Sequence, residues 1–239
     1  MNEDPKISSR FLSETFDVLA IFFLAVLPDL FHSFLVTKSA GAGSSAFTSL
    51  LLLLIVRSLQ VAFPILLVMK LRNVRWSDYG FVRFRLVRDP LAAMGVASLG
   101  YVTYYLLVIG LHFVGFDFSG DTNALQSMTQ DAQLRIGAVS LVVLASCANG
   151  FAEEIAMRSY LLVRIGELSG SNKCAALLTT LLFAAYHSYQ GRYGIVSALA
   201  IGSVFAGYFV ITKRFWPLAM AHALLDIIGL VAILEPNAG

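Results

Sequence analysis

Charge is scarce in this sequence. Only 13% of its 239 residues are Asp, Glu, Lys or Arg, against about 25% in an ordinary soluble domain. That deficit excludes a water-solvated fold of this size. The net charge of +2 marks no nucleic-acid partner, and none is expected. Cysteine is nearly absent: Cys147 and Cys174 are the only two. Both sit at apolar positions without C-x-x-C spacing, so small core residues are expected rather than a disulfide or a metal clamp. No H-E-x-x-H sequence occurs, which removes the usual helix-borne zinc-protease spacing. No fixed-period repeat, low-complexity tract or second domain is visible. The chain reads as one integral-membrane domain over 1–239.

What is abundant is apolar sequence. Hydrophobic residues make up 58% of the chain, and the mean hydropathy is +0.76. They come in blocks of about twenty residues, the length that spans roughly 30 Å of hydrocarbon as a helix. Seven spans are expected, at about 16–36, 46–69, 91–114, 136–165, 173–189, 193–211 and 214–234, or eight if one is broken. The fold class is therefore all-α, a polytopic membrane helix bundle with a polar cavity inside it. The first apolar run is longer than an h-region of about 7–15 residues, so a retained span is expected rather than a cleaved signal. Lys70, Arg72, Arg75, Arg83, Arg85 and Arg88 crowd the loop before the third span, and Asp117, Asp121 and Asp131 the loop after it. The positive-inside rule places the first loop and the N-terminus in the cytoplasm. The basic loop is also suited to anionic lipid. A multi-pass protein of a prokaryotic plasma membrane is expected, with the lipid bilayer as its first partner.

Some ionisable residues interrupt the apolar blocks, and each costs about 2.5–3.5 kcal/mol at mid-bilayer. The densest group is Glu153-Glu154-x-x-x-Arg158. Glu154 and Arg158 are spaced i, i+4 with the acid first, on one helix face in the favourable order. Glu153 lies about 100° round the helix and does not share that partner. His187 ends another apolar run. His222 and Asp226 are again i, i+4, so the imidazole can meet the carboxylate. At 1.5 Å per residue, Glu153, His187 and His222 lie about 18, 20–24 and 12 Å from their cytoplasmic helix ends. They can share one layer. Arg57, also mid-span, is expected to pair with Asp17, Asp29 or Glu154 in a structural role. His32, Asp29 and His112 read as interfacial or packing groups, and Tyr101, Tyr104 and Tyr105 as an aromatic packing cluster.

Two carboxylates and two histidines in a dry layer suit activation of water. The same groups suit a divalent metal such as zinc, with Glu153, His187 and His222 as ligands, or a proton relay in a transporter. In order and spacing, Glu153-Glu154-x-x-x-Arg158, Phe183-x-x-x-His187 and His222-x-x-x-Asp226 resemble the CAAX protease and bacteriocin-processing (CPBP) family of membrane proteins. Trp76-x-Asp78-x-Gly80-Phe81, Gly202-x-x-Phe205-x-Gly207 and Trp216-Pro217-Leu218 resemble it too. The likeness covers about 75–230, with its core at 150–227, inside a catalytic region read as 136–230.

The resemblance implies an intramembrane endopeptidase that cuts a membrane-associated protein or a peptide precursor, lipidated in one branch of the family. It implies Glu153 as the base that activates water, His187 as a group that orients it, and His222 as an oxyanion stabiliser. Glu154, Arg158 and Asp226 shape the site. The same resemblance allows a metallo-type enzyme. Two positions depart from the pattern. Asp226 stands where Asn is frequent, and an ionised carboxylate accepts but does not donate. Ser159 stands where Gly is frequent. The alternatives are a non-catalytic immunity or assembly factor of the same fold, and a proton-coupled transporter.

Overall fold

A computed structural model describes residues 5–28, 45–118 and 136–234. All regular structure among the described residues is helical. Helix α1 (Pro5–Ile21) continues through a π turn (Phe22–Val26). Helix α2 (Ser45–Leu71) is followed by a 3-10 turn (Trp76–Tyr79) and α3 (Arg88–Phe113). Helix α4 (Ile136–Glu154) runs through a π segment (Ile155–Leu162) into α5 (Val163–Ser169). Helix α6 (Asn172–Tyr186) ends in a 3-10 turn (His187–Gln190), before α7 (Gly191–Thr212) and α8 (Trp216–Leu234). Asp29, His32, Asp121, Asp131 and Arg135 lie outside the described residues.

Helix is the form these blocks must take, because hydrocarbon offers the backbone no hydrogen-bond partner. Side-chain hydroxyls obey the same constraint. Ser58, Thr103, Thr179, Ser203 and Thr212 each bond the carbonyl four residues back, at 2.6–2.9 Å. Large apolar residues face outward: Leu52, Val56, Leu59, Phe63 and Leu67 form an exposed stripe on α2. Such a stripe would be an aggregation surface in water and is ordinary solvation in lipid.

Four described stretches are long and apolar enough to cross a membrane: Phe47–Leu71, Arg88–Phe113, Val139–Ser169 and Asn172–Thr212. The last is not straight. Gly191, at φ 76° and ψ −167°, turns the chain back. Gly202 on α7 then lies against Thr180 and Phe183 of α6. Of the seven spans expected, four long stretches stand out among the described residues, one of them a hairpin whose first leg is short. The described part of α8 is a shorter apolar helix.

The rod α4–α5 is the axis of the bundle. Helices α2 and α8 flank α4, while α6 packs on the π segment and α5, and α7 bridges α6 and α3. Close approach of α4 and α8 depends on Gly150. A Cβ there would lie 2.8 Å from the Ala223 nitrogen and 3.0 Å from the Ala219 oxygen. The cysteines are not core residues, for both Cys147 and Cys174 are exposed. An apolar position in such a protein faces lipid as readily as protein.

The basic loop is held at the start of α8. Gly80, at φ +85°, closes the 3-10 turn, and its carbonyl accepts the Phe215 N–H at 3.0 Å. The Trp216 indole donates to Val82 O at 2.9 Å, and Phe81 packs on Phe215 at 4.6 Å between centroids. Buried Asp89 takes the Arg214 guanidinium at 2.8 and 2.9 Å. The Trp76-to-Phe81 motif thus braces the helix that carries His222. At the same end of the bundle α1 is pinned by Asp17, whose two oxygens accept from Arg72 at 2.7 Å each. That hydrogen-bonded carboxylate raises the Arg72 guanidinium above its ordinary pKa.

Gly150→Ala is expected to lower the thermal midpoint in detergent, at about 1–3 kcal/mol for an overpacked contact. Gly110→Ala, at an open position, is expected to change it by less than about 0.5 kcal/mol. Equal midpoints for the two variants would remove Gly150 from the packing argument.

Candidate active site

Glu153 and Glu154 are the last two residues of α4, where the helix widens into the π segment. Such π distortions rotate the phase of the turns beyond them and recur at functional sites. Arg158 lies inside the widened segment and still reaches Glu154, with Nη1 3.0 Å from Oε1. Its guanidinium sits 4.4 Å from the Phe183 ring centroid and 5.6 Å from that of Phe205, while Nη2 faces Gly202 O at 3.4 Å. The charge is buried but wrapped by a carboxylate, a carbonyl and two ring faces. A Cβ on Gly202 would lie 3.3 Å from Nη2, so the small residue leaves room for the arginine.

The expected pairing of Glu154 with Arg158 is observed. The expected pairing of His222 with Asp226 is not the main one. His222 Nδ1 lies 2.7 Å from Glu154 Oε1. Its Nε2 lies 3.4 Å from Glu153 Oε2 and 3.7 Å from Asp226 Oδ1. Four residues on α8 place Asp226 on the same face as His222, but the facing helix brings a carboxylate closer than a neighbour one turn along. Nδ1 is hydrogen-bonded to Glu154, while Nε2 stands within ion-pair distance of Glu153 without a hydrogen bond to its Oε2. Asp226 instead accepts the Asn149 amide at 2.9 Å.

Arg57 has a neighbour beyond the acids expected for it: its Nη2 is 3.9 Å from Glu153 Oε1. Asp17 is held by Arg72 and Glu154 by Arg158 and His222, while Asp29 lies outside the described residues. Among the described residues the layer holds three acids (Glu153, Glu154, Asp226) beside two arginines and the His222 ring. Glu153 is thus less isolated than its helical phase implied.

His187 stands at the start of the 3-10 turn. Its Nδ1 is 2.8 Å from Phe183 O. A carbonyl only accepts, so Nδ1 carries the hydrogen and Nε2 presents a lone pair. The Phe183 ring lies 4.5 Å from that of His187 and 5.8 Å from that of His222. The three motifs therefore meet in one cluster.

Glu153 also borders a small cavity of about 10 Å³, with Arg57, Asn149, Tyr186 and Val26 among its walls. That is room for about one water. Neither histidine lines it. Among the described residues no group of three or more His, Cys, Asp or Glu side chains is placed to hold a metal ion. With His222 Nδ1 held by Glu154, the side chains of Glu153, His187 and His222 are not arranged as one set of ligands among the described residues.

Asn149 and Tyr186 were not singled out in the sequence. Asn149 was legible in principle, as a buried amide one turn before Glu153. Tyr186 was not, because it looks like one more aromatic in a packed helix. Of the weaker candidates, His112 is exposed near the end of α3, and Tyr101, Tyr104 and Tyr105 pack on each other along the same helix.

Fold and site together define a multi-pass helical membrane protein with a buried acid–histidine–arginine cluster between α4, α6 and α8. Residues 135–228 match the model of a protease family described as Rce1-like, type II CAAX prenyl endopeptidase. The matched stretch contains all three motifs, so the likeness read from them is borne out there. No curated protein and no solved structure matches the chain.

Arg158→Met is expected to destabilise the protein by about 3–5 kcal/mol, because it strands the Glu154 charge. Adding Glu154→Gln is expected to recover part of that loss. Denaturant unfolding in micelles measures both. A double variant no more stable than the single would deny that the pair is coupled.

Proposed function

We propose that the chain is an intramembrane endopeptidase of the CAAX-protease type that uses Glu153 to activate water. The observation that carries this reading is the different engagement of two adjacent carboxylates. Glu154 is fully buried and committed to Arg158 and His222. Glu153 borders a water-sized cavity, and its own ion pairs are longer, at 3.4 and 3.9 Å. A general base needs an oxygen within reach of the water it deprotonates, and Glu153 alone of the two has that access.

The steps divide among the groups of the cluster. Glu153 takes a proton from water as the oxygen attacks the scissile carbonyl. The developing oxyanion requires N–H donors. When the tetrahedral species collapses, the C–N bond breaks and the proton on Glu153 passes to the leaving amine. The His187 Nε2 lone pair accepts a hydrogen bond from the entering water once substrate opens the site. His222 steadies Glu153 while held by Glu154. The substrate class is a membrane-associated protein or peptide, prenylated or not. In this reading that end of the bundle and the N-terminus face the cytoplasm, which the basic segment 70–88 supports, and the membrane is a prokaryotic plasma membrane.

The test is cleavage in liposomes of a pool of dye-quenched peptides, prenylated and plain. Glu153→Gln is expected to lower kcat by about 10²–10⁴-fold with an unchanged melting midpoint, and His187→Ala to lower it in the same direction. Wild-type rates in both variants would reject the assignment, and a cellular phenotype that survived Glu153→Ala would favour a non-catalytic partner.

Activity is expected to persist in a chelator. Loss on chelation, restored by zinc, would move water activation to a metal.

A further inference from the structure

Two rungs join α4 to α8. In one, Glu153 and Glu154 face His222. In the other, one turn away on both helices, Asn149 donates to Asp226 at 2.9 Å. The first rung supplies acceptors and a base. Of its groups, the His222 ring alone could lend an N–H to a tetrahedral oxyanion, through Nε2. Asp226, ionised, cannot donate. His222 commits Nδ1 to Glu154, and Arg158 is enclosed by Glu154, Gly202 O and two aromatic rings.

Asn149 offers a further donor. Its Nδ2 carries two hydrogens; one lies on Asp226, and the other remains for the cavity that Asn149 lines together with Glu153. Asn149 is buried, where a polar N–H without a partner is costly. Four residues along one α-helix separate it from Glu153 by about 6 Å on the same face. A water at Glu153 and a carbonyl oxygen at Asn149 fit that separation.

We infer that Asn149 is the amide donor to the oxyanion and that Asp226 is its positioning residue. The inference rests on the reading of Glu153 as the base. As Glu153 removes the proton, the water oxygen bonds to the carbonyl carbon and the C=O π pair moves onto oxygen. The free Asn149 N–H bonds that oxygen. Asp226 fixes the amide flip, so that the nitrogen rather than the oxygen of Asn149 faces the reaction. The carboxylate at 226 therefore has a purpose as an acceptor: it orients a donor on the facing helix.

The experiment uses the full chain in liposomes with the same peptide pool. Asn149→Asp keeps the shape and removes both N–H groups. It is expected to lower kcat by about 10²–10³-fold with KM changed less than about threefold, the range for loss of one oxyanion donor. Asn149→Leu, which adds no charge next to Asp226, is expected to lose kcat similarly and checks that repulsion is not the cause. Asp226→Asn leaves Asn149 its amide but lets it flip. It is expected to cost kcat less than about tenfold, with a normal melting midpoint. Near-wild-type kcat in Asn149→Leu overturns the assignment. So does a loss in Asp226→Asn as large as in Asn149→Leu, which would make the carboxylate itself the reacting group. Glu153→Gln run in parallel separates the two readings. If it stays active, or if the wild type cuts no peptide, the base assignment fails. If it is dead while Asn149→Leu is active, only the role of Asn149 fails.

Discussion

The arrangement depends on one buried carboxylate. Glu154 is wholly removed from solvent and accepts from two helices at once, Arg158 on its own rod and His222 on α8. Neither the buried guanidinium nor the imidazole would be satisfied there without it, and it would not be satisfied without them. The shared oxygen ties the π segment to α8 and sets the depth at which His222 enters the bundle. The Phe183 and Phe205 rings that enclose Arg158 are placed by the same contact, and they bring the α6–α7 hairpin with them. Glu153 owes its freedom to this: the neighbouring acid has absorbed the structural duty.

Small residues let that contact form. Gly150 allows α8 to approach α4 closely enough for a side chain as short as histidine to span the gap, and Gly202 leaves room for the guanidinium. At the far side, Gly80 and the aromatic pair Phe81 and Phe215 hold the start of α8. Packing in a membrane gains nothing from hiding apolar surface, because lipid is as apolar as leucine. Close contact and satisfied polar groups must hold the helices together. The polar layer is thus both the candidate site and a main cohesive element of the bundle, which is why variants in it need a stability readout beside an activity readout.

Much of this was legible from residue spacing. The pairing of Glu154 with Arg158 comes from i, i+4 geometry, and it survives the local widening of the helix. The common depth of Glu153, His187 and His222 comes from counting residues along straight helices. Partners across helices were not legible in the same way. Arg57 had several acids to choose from, and it faces Glu153 because α2 packs on that side of α4. His222 had an acid one turn away on its own helix and uses one from another. Cys147 and Cys174 were expected inside and lie outside, since apolar neighbours do not say whether lipid or protein covers a position.

The sequence by itself determined the class of solvent, the helical form, the three motifs and the division between a paired and a less committed glutamate. All of these rest on composition and on one helical period, which are properties of a single segment. Only the tertiary structure decided which carboxylate holds His222, that Arg57 flanks Glu153, that the stretch 172–212 doubles back, and that an asparagine from α4 meets the aspartate on α8. Those facts depend on the rotation and depth at which helices dock. In hydrocarbon these are set by glycine contacts and a handful of shared polar atoms, which no periodicity along a single segment encodes.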